Sequence, residues 1–172
     1  NDLIGAEVSG GAAIAYTDFK IHLDGFSRFL ILDRSMRPKQ AGRLLQRLFE
    51  IEVYRVMALL AFPLARNLAP KLNKSDEMLS NITQRMAQSN ANDQELLDEL
   101  TNLAAEVENC ISKTYSRFDA ASAYYQLVEQ RIKDLREIRI QGLQTIGEFM
   151  QKRMEPAINT CLSTASRFTL LS

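Results

Sequence analysis

The stretch "VYRVMALLAFPLARNLAP", residues 53 to 70, decides whether the chain contains a membrane segment or a buried core helix, because ten consecutive uncharged residues lie between Arg55 and Arg66. Crossing a membrane takes roughly twenty mostly apolar residues, and this shorter run also contains Pro63. It therefore does not span a membrane. A helix that is apolar nearly all round is instead buried, so we predict that residues 56–64 form the most enclosed helix of the fold.

Three side chains of this stretch, Met57, Leu60 and Leu64, are the ones that test the prediction. If the helix is enclosed, all three belong to the core. If they are exposed without a partner, the stretch is a partner-binding surface, which is the alternative.

Length and composition indicate one ordinary domain with a core. The chain has 172 residues, and its 21 Lys and Arg residues equal its 21 Asp and Glu residues. Since a nucleic-acid-binding protein usually carries a basic excess, we expect no nucleic-acid partner. Cys110 and Cys161 lie far apart, so they indicate small buried residues rather than a metal or redox pair.

Strand-like residues open the chain, and the Asp24-Gly25 dipeptide joins "AIAYTDFKIHL" to "FSRFLIL". This dipeptide is typical of a two-residue type I′ turn, so we predict a β-hairpin over about residues 12–32. In that register Thr17 pairs with Leu32, and Phe19 with Leu30. Since an isolated hairpin is marginal in water, it must lie on the helices or join a larger sheet.

The remainder of the chain has helical periodicity, and we predict four or five long antiparallel helices with coiled-coil-like packing. The first runs from Pro38 to about Leu68 with a kink at Pro63, and Pro70 ends it. A second helix reaches the loop "SNAND". The segment "SKTYSRFD" is either a turn between two later helices or a continuation of one helix.

The fold class is therefore α+β, mainly helical with a small β part, in a single domain over residues 1–172. Its parts are a β-hairpin (1–36), a kinked helix with a second helix (38–89) and a long helical hairpin (93–172). The sequence starts without methionine and stops inside a helical pattern. We therefore expect it to be a fragment of a longer protein.

Charged residues beside the opening stretch are candidates for interaction or for the edge of the core. They are Arg43, Arg47, Glu50, Glu52 and Arg55. Arg47 with Glu50, and Glu52 with Arg55, are three residues apart, so each pair can meet along the helix. We expect a structural role for these pairs.

A basic stretch surrounds the start of the first helix and consists of Arg34, Arg37, Lys39, Arg43 and Arg47. Lys39, Arg43 and Arg47 share one helix face. This face either meets anionic lipid headgroups or is an ordinary solvated surface.

An acidic stretch follows the loop, with six carboxylates and no basic residue between Asp93 and Glu108. Glu95, Asp98 and Glu99 are weak candidate ligands for Mg²⁺ or Ca²⁺, although their spacing selects no metal. The main interpretation is a solvated face or a surface that packs on basic residues.

Catalysis has little support in the sequence. The only histidine, His22, is predicted opposite Ser27, with Asp24 at the turn, but neighbouring strands supply neither an oxyanion hole nor a pocket. We therefore expect no enzyme, no catalytic residue, no cofactor and no small-molecule substrate.

Four strings, "DGFSRFLILDR", "AGRLLQRLFEIEVYR", "ALLAFPLAR" and "GLQTIGEF", carry a family resemblance. They resemble an uncharacterised bacterial family of predicted membrane-anchored proteins of unknown function, and the resemblance covers nearly the whole chain. It implies a membrane anchor outside this sequence, with the present domain soluble and on the cytoplasmic side.

The implied layout is also similar in outline to CorA-type divalent-cation channels, as a fold-level analogy only. Our first interpretation is a non-enzymatic assembly domain that forms a homo-oligomer. The alternative is a soluble regulatory domain of a CorA-like channel or transporter.

Overall fold

The computed structural model describes residues 3–87 and 92–171. The strands are β1 (Ile4–Val8), β2 (Ala13–Thr17), β3 (Phe29–Asp33) and β4 (Ile138–Arg139). The helices are α1 (Pro38–Leu59), α2 (Phe62–Met86), α3 (Asp93–Leu135) and α4 (Ile146–Leu171). The predicted α+β class, mainly helical with a small β part, is confirmed.

Within residues 3–87 and 92–171, the helices form three long segments, with α1 and α2 counted as one, and this is fewer than the four or five predicted. Only residues 60 and 61 separate α1 from α2, and α3 runs without a break through "SKTYSRFD". The turn alternative is wrong because a buried face continues through this segment at helical spacing, from Cys110 through Thr114 and Phe118 to Ala121. The "SNAND" loop lies largely outside the described residues.

The break between α1 and α2 has its cause in Pro63. A proline ring clashes with the carbonyl four residues before it, here Leu59, and α1 ends at that residue. Pro63 then lies in the first turn of α2, where a missing N–H costs nothing. The prediction that Pro70 ends this helix is wrong, since Pro70 lies inside α2.

Four strands form one antiparallel sheet in the order β3-β2-β1-β4. The predicted hairpin exists as β2 and β3, but its register is wrong, because Thr17 pairs with Phe29 instead of Leu32. The strand ends early, since Thr17 Oγ1 accepts a hydrogen bond from Phe19 N at 3.1 Å and Phe19 has a φ of 50°. β1 and β4 are the partner strands that the hairpin needs.

The tip of the hairpin is a three-residue loop rather than the predicted two-residue turn. Gly25 N donates to His22 O at 2.9 Å, and His22 N donates to Phe26 O at 3.0 Å. Of the loop residues Leu23, Asp24 and Gly25, only Gly25 has a positive φ, whereas a type I′ turn requires two. Asp24-Gly25 thus marks the tip, as predicted, with a different turn.

The chain divides into two compact units, and each has its own buried residues. Unit 1 comprises Asn1–Ala58 and Ala123–Pro156, and unit 2 comprises Leu59–Ser122 and Ala157–Ser172. Large buried side chains of unit 1 include Val8, Leu44, Leu48, Ile51, Leu135, Ile146, Met150 and Met154. Those of unit 2 include Leu72, Ile82, Val107 and Phe168. The prediction of a single domain stays a prediction.

No helix within residues 3–87 and 92–171 combines the length and the apolar character that a membrane crossing requires. This agrees with the prediction that the stretch at residues 53–70 does not span a membrane.

Candidate functional site

An apolar stripe on α1 is exposed to solvent. We define the apolar stripe as Leu45, Phe49, Val53, Val56 and Met57, whose spacing places them on one side of the helix. The opposite side of α1 is buried through Leu44, Leu48, Ile51 and Ala58. Phe49 is 61% exposed and Val53 56%.

The prediction that residues 56–64 form the most enclosed helix is therefore wrong. Met57 is 40% exposed, Leu60 is 55% exposed, and Leu64 is only partly buried. The small residues Ala58 and Ala61 take the buried positions instead. A count of apolar residues does not show which face of a helix meets the core. The sequence therefore predicts more burial for residues 56–64 than the structure has.

The charged residues around α1 pair as predicted in one case and differently in the other. Arg55 binds both carboxylate oxygens of Glu52, at 2.7 and 2.9 Å, and its guanidinium lies 5.5 Å from the centre of the Phe19 ring. Glu50 accepts from Arg131 of α3 and from Gln46 rather than from Arg47.

These contacts explain the titration of the Glu50 pair. The pKa of Glu50 lies below its ordinary value because Gln46 and then Arg131 donate hydrogen bonds to its ionised form. The pKa of Arg131 is raised for the matching reason. Glu50 therefore joins α1 to α3 within unit 1.

A cationic cavity lies beside the start of α1. We define the cationic cavity by its six basic side chains, Arg37, Lys39, Arg43, Arg47, Lys133 and Arg136; it is partly open to solvent and has a volume of about 700 Å³. Ser9, Gln40 and Asp134 complete its lining. Four of the five cations of the basic stretch, Arg37, Lys39, Arg43 and Arg47, are thus brought together.

Two elements position this cavity within unit 1. Gln40 Nε2 donates to Ser9 O at 3.5 Å, and Ser9 N donates to Leu135 O at 2.7 Å, so the first turn after β1 holds the start of α1 near the end of α3. Arg136, just beyond α3, has a φ of 50°, which turns the chain away from the helix axis. Lys133 and Arg136 thereby join the cations of α1.

Sequence reasoning misses Lys133 and Arg136 as members of this group. They lie about ninety residues after Arg43 in the chain, and no local pattern relates the two segments. Arg34 of the predicted basic stretch is not in the cavity, because its Nη1 pairs with Glu7 Oε1 at 2.8 Å.

The predicted cation ligands on α3 have other partners. Arg85 Nη1 lies 2.8 Å from Glu99, and its Nη2 lies 3.7 Å from Glu95. Asp98 accepts from Gln94 Nε2 at 3.2 Å. Among the residues that the structure describes, no three His, Cys, Asp or Glu side chains converge to hold a metal ion. Cation binding stays a prediction.

A half-buried carboxylate, Glu137, holds the start of α4. Its Oε1 accepts from Ile146 N at 2.8 Å, and its Oε2 accepts from Gly147 N at 2.9 Å. Burial raises the pKa of Glu137, although the two backbone N–H groups oppose the shift. Glu137 belongs neither to the apolar stripe nor to the lining of the cationic cavity, so we interpret this contact as structural.

Gly147 fits this site because a side chain there has no room. A Cβ atom on Gly147 would lie 2.9 Å from Ile132 Cγ2 and 3.0 Å from Glu137 Oε2. Gly147, the second glycine of "GLQTIGEF", therefore leaves room for the Glu137 carboxylate at the start of α4.

His22 and Asp24, two residues of the hydrolase triad against which the sequence argues, have separate partners in the structure. His22 Nε2 lies 3.3 Å from Asp18 Oδ2, whereas Asp24 pairs with Arg28 at 2.7 Å. His22 and Asp24 are thus held by different residues. That the chain is not an enzyme stays a prediction.

The fold and its surfaces define an α+β protein with long helices, an exposed apolar stripe and a cationic cavity. The chain belongs to the family described as Protein of unknown function (DUF3422), whose match covers residues 1–172. No curated protein and no solved structure matches it. The resemblance to an uncharacterised family is thereby confirmed.

Proposed function

We propose that this chain is a non-enzymatic interaction domain that assembles with a second copy of itself through the apolar stripe. The observation that supports this proposal is the exposure of five adjoining apolar side chains on a helix whose other face is already buried. Contiguous apolar area that is exposed to water commonly marks a contact surface.

A second copy suits the stripe for two reasons. The chain has a formal net charge of zero, so two copies do not repel each other at long range. A two-fold pairing also places the same apolar side chains against one another, which makes a single stripe its own complement.

The size of the stripe predicts weak assembly. Its five side chains expose roughly 450 Å² per copy, so pairing buries about 900 Å² in total, which is below the usual range for stable interfaces. We therefore expect a dissociation constant of about micromolar magnitude rather than an obligate dimer.

Sedimentation equilibrium over a range of protein concentrations tests this proposal, with Phe49→Asp as the disrupting variant. Phe49 exposes roughly 140 Å², so its loss removes about 3 kcal/mol of apolar burial per copy. We expect the dissociation constant to rise at least about a hundredfold.

The matched control is Phe26→Asp, which places the same charge on an exposed phenylalanine at the hairpin tip. This variant should associate like the unaltered chain. A chain that stays monomeric at several hundred micromolar, or equal loss of association in both variants, would count against assembly through α1.

Divalent-cation regulation, as in a CorA-like channel, is our second hypothesis and has weaker support. Two of its three candidate ligands, Glu95 and Glu99, already face Arg85. A divalent cation would have to compete with that guanidinium. Melting with and without millimolar Mg²⁺ or Ca²⁺ distinguishes the hypotheses, since only a cation site predicts clear stabilisation.

Membrane anchoring of the full-length protein, with this domain on the cytoplasmic side, is a further proposal that rests on the family resemblance. Fractionation of cells that express the full-length protein tests it. We expect the protein in the membrane pellet even after a carbonate wash, and release by that wash would argue against an anchor.

A further inference from the structure

The cationic cavity concentrates positive charge without a matching set of carboxylates. Within the described part of the chain, none of its six basic side chains has a carboxylate within 4.0 Å. The only acidic residue in its lining is Asp134. Asp134 accepts from Gln130 at 3.2 Å and from Arg131 at 3.4 Å, so its charge is shared with residues outside the lining.

The position of these cations is also unfavourable for the stability of the start of α1. The start of a helix carries a partial positive charge and normally favours acidic residues. The first turn of α1 contains no acidic residue, while Arg37, Lys39 and Arg43 lie at or near it. A bound anion would offset both the helix end and the mutual repulsion of the side chains.

Cavity size and donor chemistry indicate which anion fits. Arg side chains bind phosphate oxygens through paired N–H donors, and Lys adds a point charge. A volume of about 700 Å³ lies within the range of small-ligand sites and exceeds the needs of a single small ion. We propose that the cationic cavity binds a phosphate-bearing ligand, either a soluble phosphate compound or a phospholipid headgroup.

Soluble phosphate is tested first by thermal melting of the chain with inorganic pyrophosphate at constant ionic strength. A pyrophosphate concentration about one hundred times its dissociation constant should raise the melting temperature by roughly 5 to 10 °C. The variant Arg43→Gln/Lys133→Gln removes one cation from each side of the cavity. We expect its dissociation constant to rise at least about tenfold.

The control variant is Lys71→Gln/Arg117→Gln, which removes one Lys and one Arg from exposed positions on α2 and α3 outside the cavity. It has the same net charge as the cavity variant. It should bind pyrophosphate like the unaltered chain, because a general electrostatic effect would weaken both variants equally.

A phospholipid headgroup is tested by sedimentation with vesicles of phosphatidylcholine alone and with added phosphatidylglycerol. Binding to the anionic vesicles that the cavity variant loses and the control variant keeps assigns the site to lipid. A pyrophosphate shift with the same dependence, without vesicle binding, assigns it to soluble phosphate. Binding of neither probe, or equal losses in the two variants, overturns the proposal.

Discussion

The substitution of Glu137 tests how burial and hydrogen bonding compete at the start of α4. Its two carboxylate oxygens accept from Ile146 N and Gly147 N. Thr145 Oγ1 accepts from Glu148 N at 3.1 Å, and Glu148 Oε2 accepts from Thr145 N at 3.2 Å. Glu137 therefore serves two donors that the capping box formed by Thr145 and Glu148 leaves over.

Removing the side chain as Glu137→Ala leaves both backbone N–H groups without this acceptor. Each lost capping hydrogen bond costs about 1 kcal/mol, so we expect a loss of about 2 kcal/mol in the free energy of unfolding. As the pH rises, this cost should shrink by the same amount as the effect of Glu137→Gln changes, because neither variant carries the titrating carboxyl group.

Glu137→Gln should behave differently, because glutamine resembles the protonated acid. Burial raises the pKa of Glu137 above its ordinary value of 4.5. The favourable contribution of the protonated form is therefore complete below pH 4.5 and is lost as the pH rises through the raised pKa. Since glutamine does not ionise, the variant should gain stability relative to the unaltered chain as the pH rises, by about 1.4 kcal/mol for every tenfold by which burial changes the proton affinity of the Glu137 carboxyl group.

Urea unfolding followed by circular dichroism, at pH 4.5 and at pH 7.5, measures these differences. At pH 4.5, we expect the unfolding free energy of Glu137→Gln to lie within about 0.5 kcal/mol of that of the unaltered chain. At pH 7.5, the variant should be more stable relative to the unaltered chain than it is at pH 4.5. A variant that loses more stability at pH 7.5 than at pH 4.5 would refute the reasoning. In that case, the two N–H groups favour the anion more strongly than burial opposes it.

Two further substitutions test packing and charge in unit 1. Gly147→Ala should cost about 1 to 2 kcal/mol of unfolding free energy, because its Cβ has no room. The matched Gly42→Ala in open space on α1 should instead be neutral or stabilise by up to about 1 kcal/mol. Glu50→Gln should cost about 1 to 2 kcal/mol at neutral pH by weakening the pair with Arg131. Since the pKa of Glu50 is lowered, this cost should shrink as the pH falls below 4.5, and a cost unchanged down to pH 3 would contradict the assignment; urea unfolding measures both.

Local chemistry in the sequence identifies much of the fold. Periodicity gives the helices, Asp24-Gly25 marks the tip of the hairpin, and Glu52 three residues before Arg55 predicts an ion pair that the structure contains. Thr145-x-x-Glu148 is also readable as a capping box. Each of these features depends on residues within a few positions of one another.

Features that depend on distant residues are not readable in this way. The register of β2 on β3 follows from Phe19, which leaves the strand and stacks on the Phe149 ring with centroids 5.1 Å apart. The pairing of Glu50 with Arg131 spans eighty-one positions. Without an independent measure of which segments meet, the sequence allows many such partners.

The two surfaces on α1 have a common physical basis. Sequences that fold well usually agree with local preferences at every level, and departures concentrate where a residue serves something other than folding. At the start of α4, Glu137, Thr145 and Glu148 follow those preferences. By contrast, α1 begins with cations where acidic residues are favoured and exposes Phe49 and Val53 to water.

Among the described residues, no carboxylate lies within 4.0 Å of the cations at the start of α1, and Phe49 and Val53 stay more than half exposed. We therefore propose that both surfaces bind partners, and different ones, because one surface is apolar and the other cationic. Phe49 is absent from the cavity lining, and Arg43 is absent from the stripe. Assembly and phosphate binding consequently rest on separate side chains, so either proposal can fail in its own experiment while the other stands.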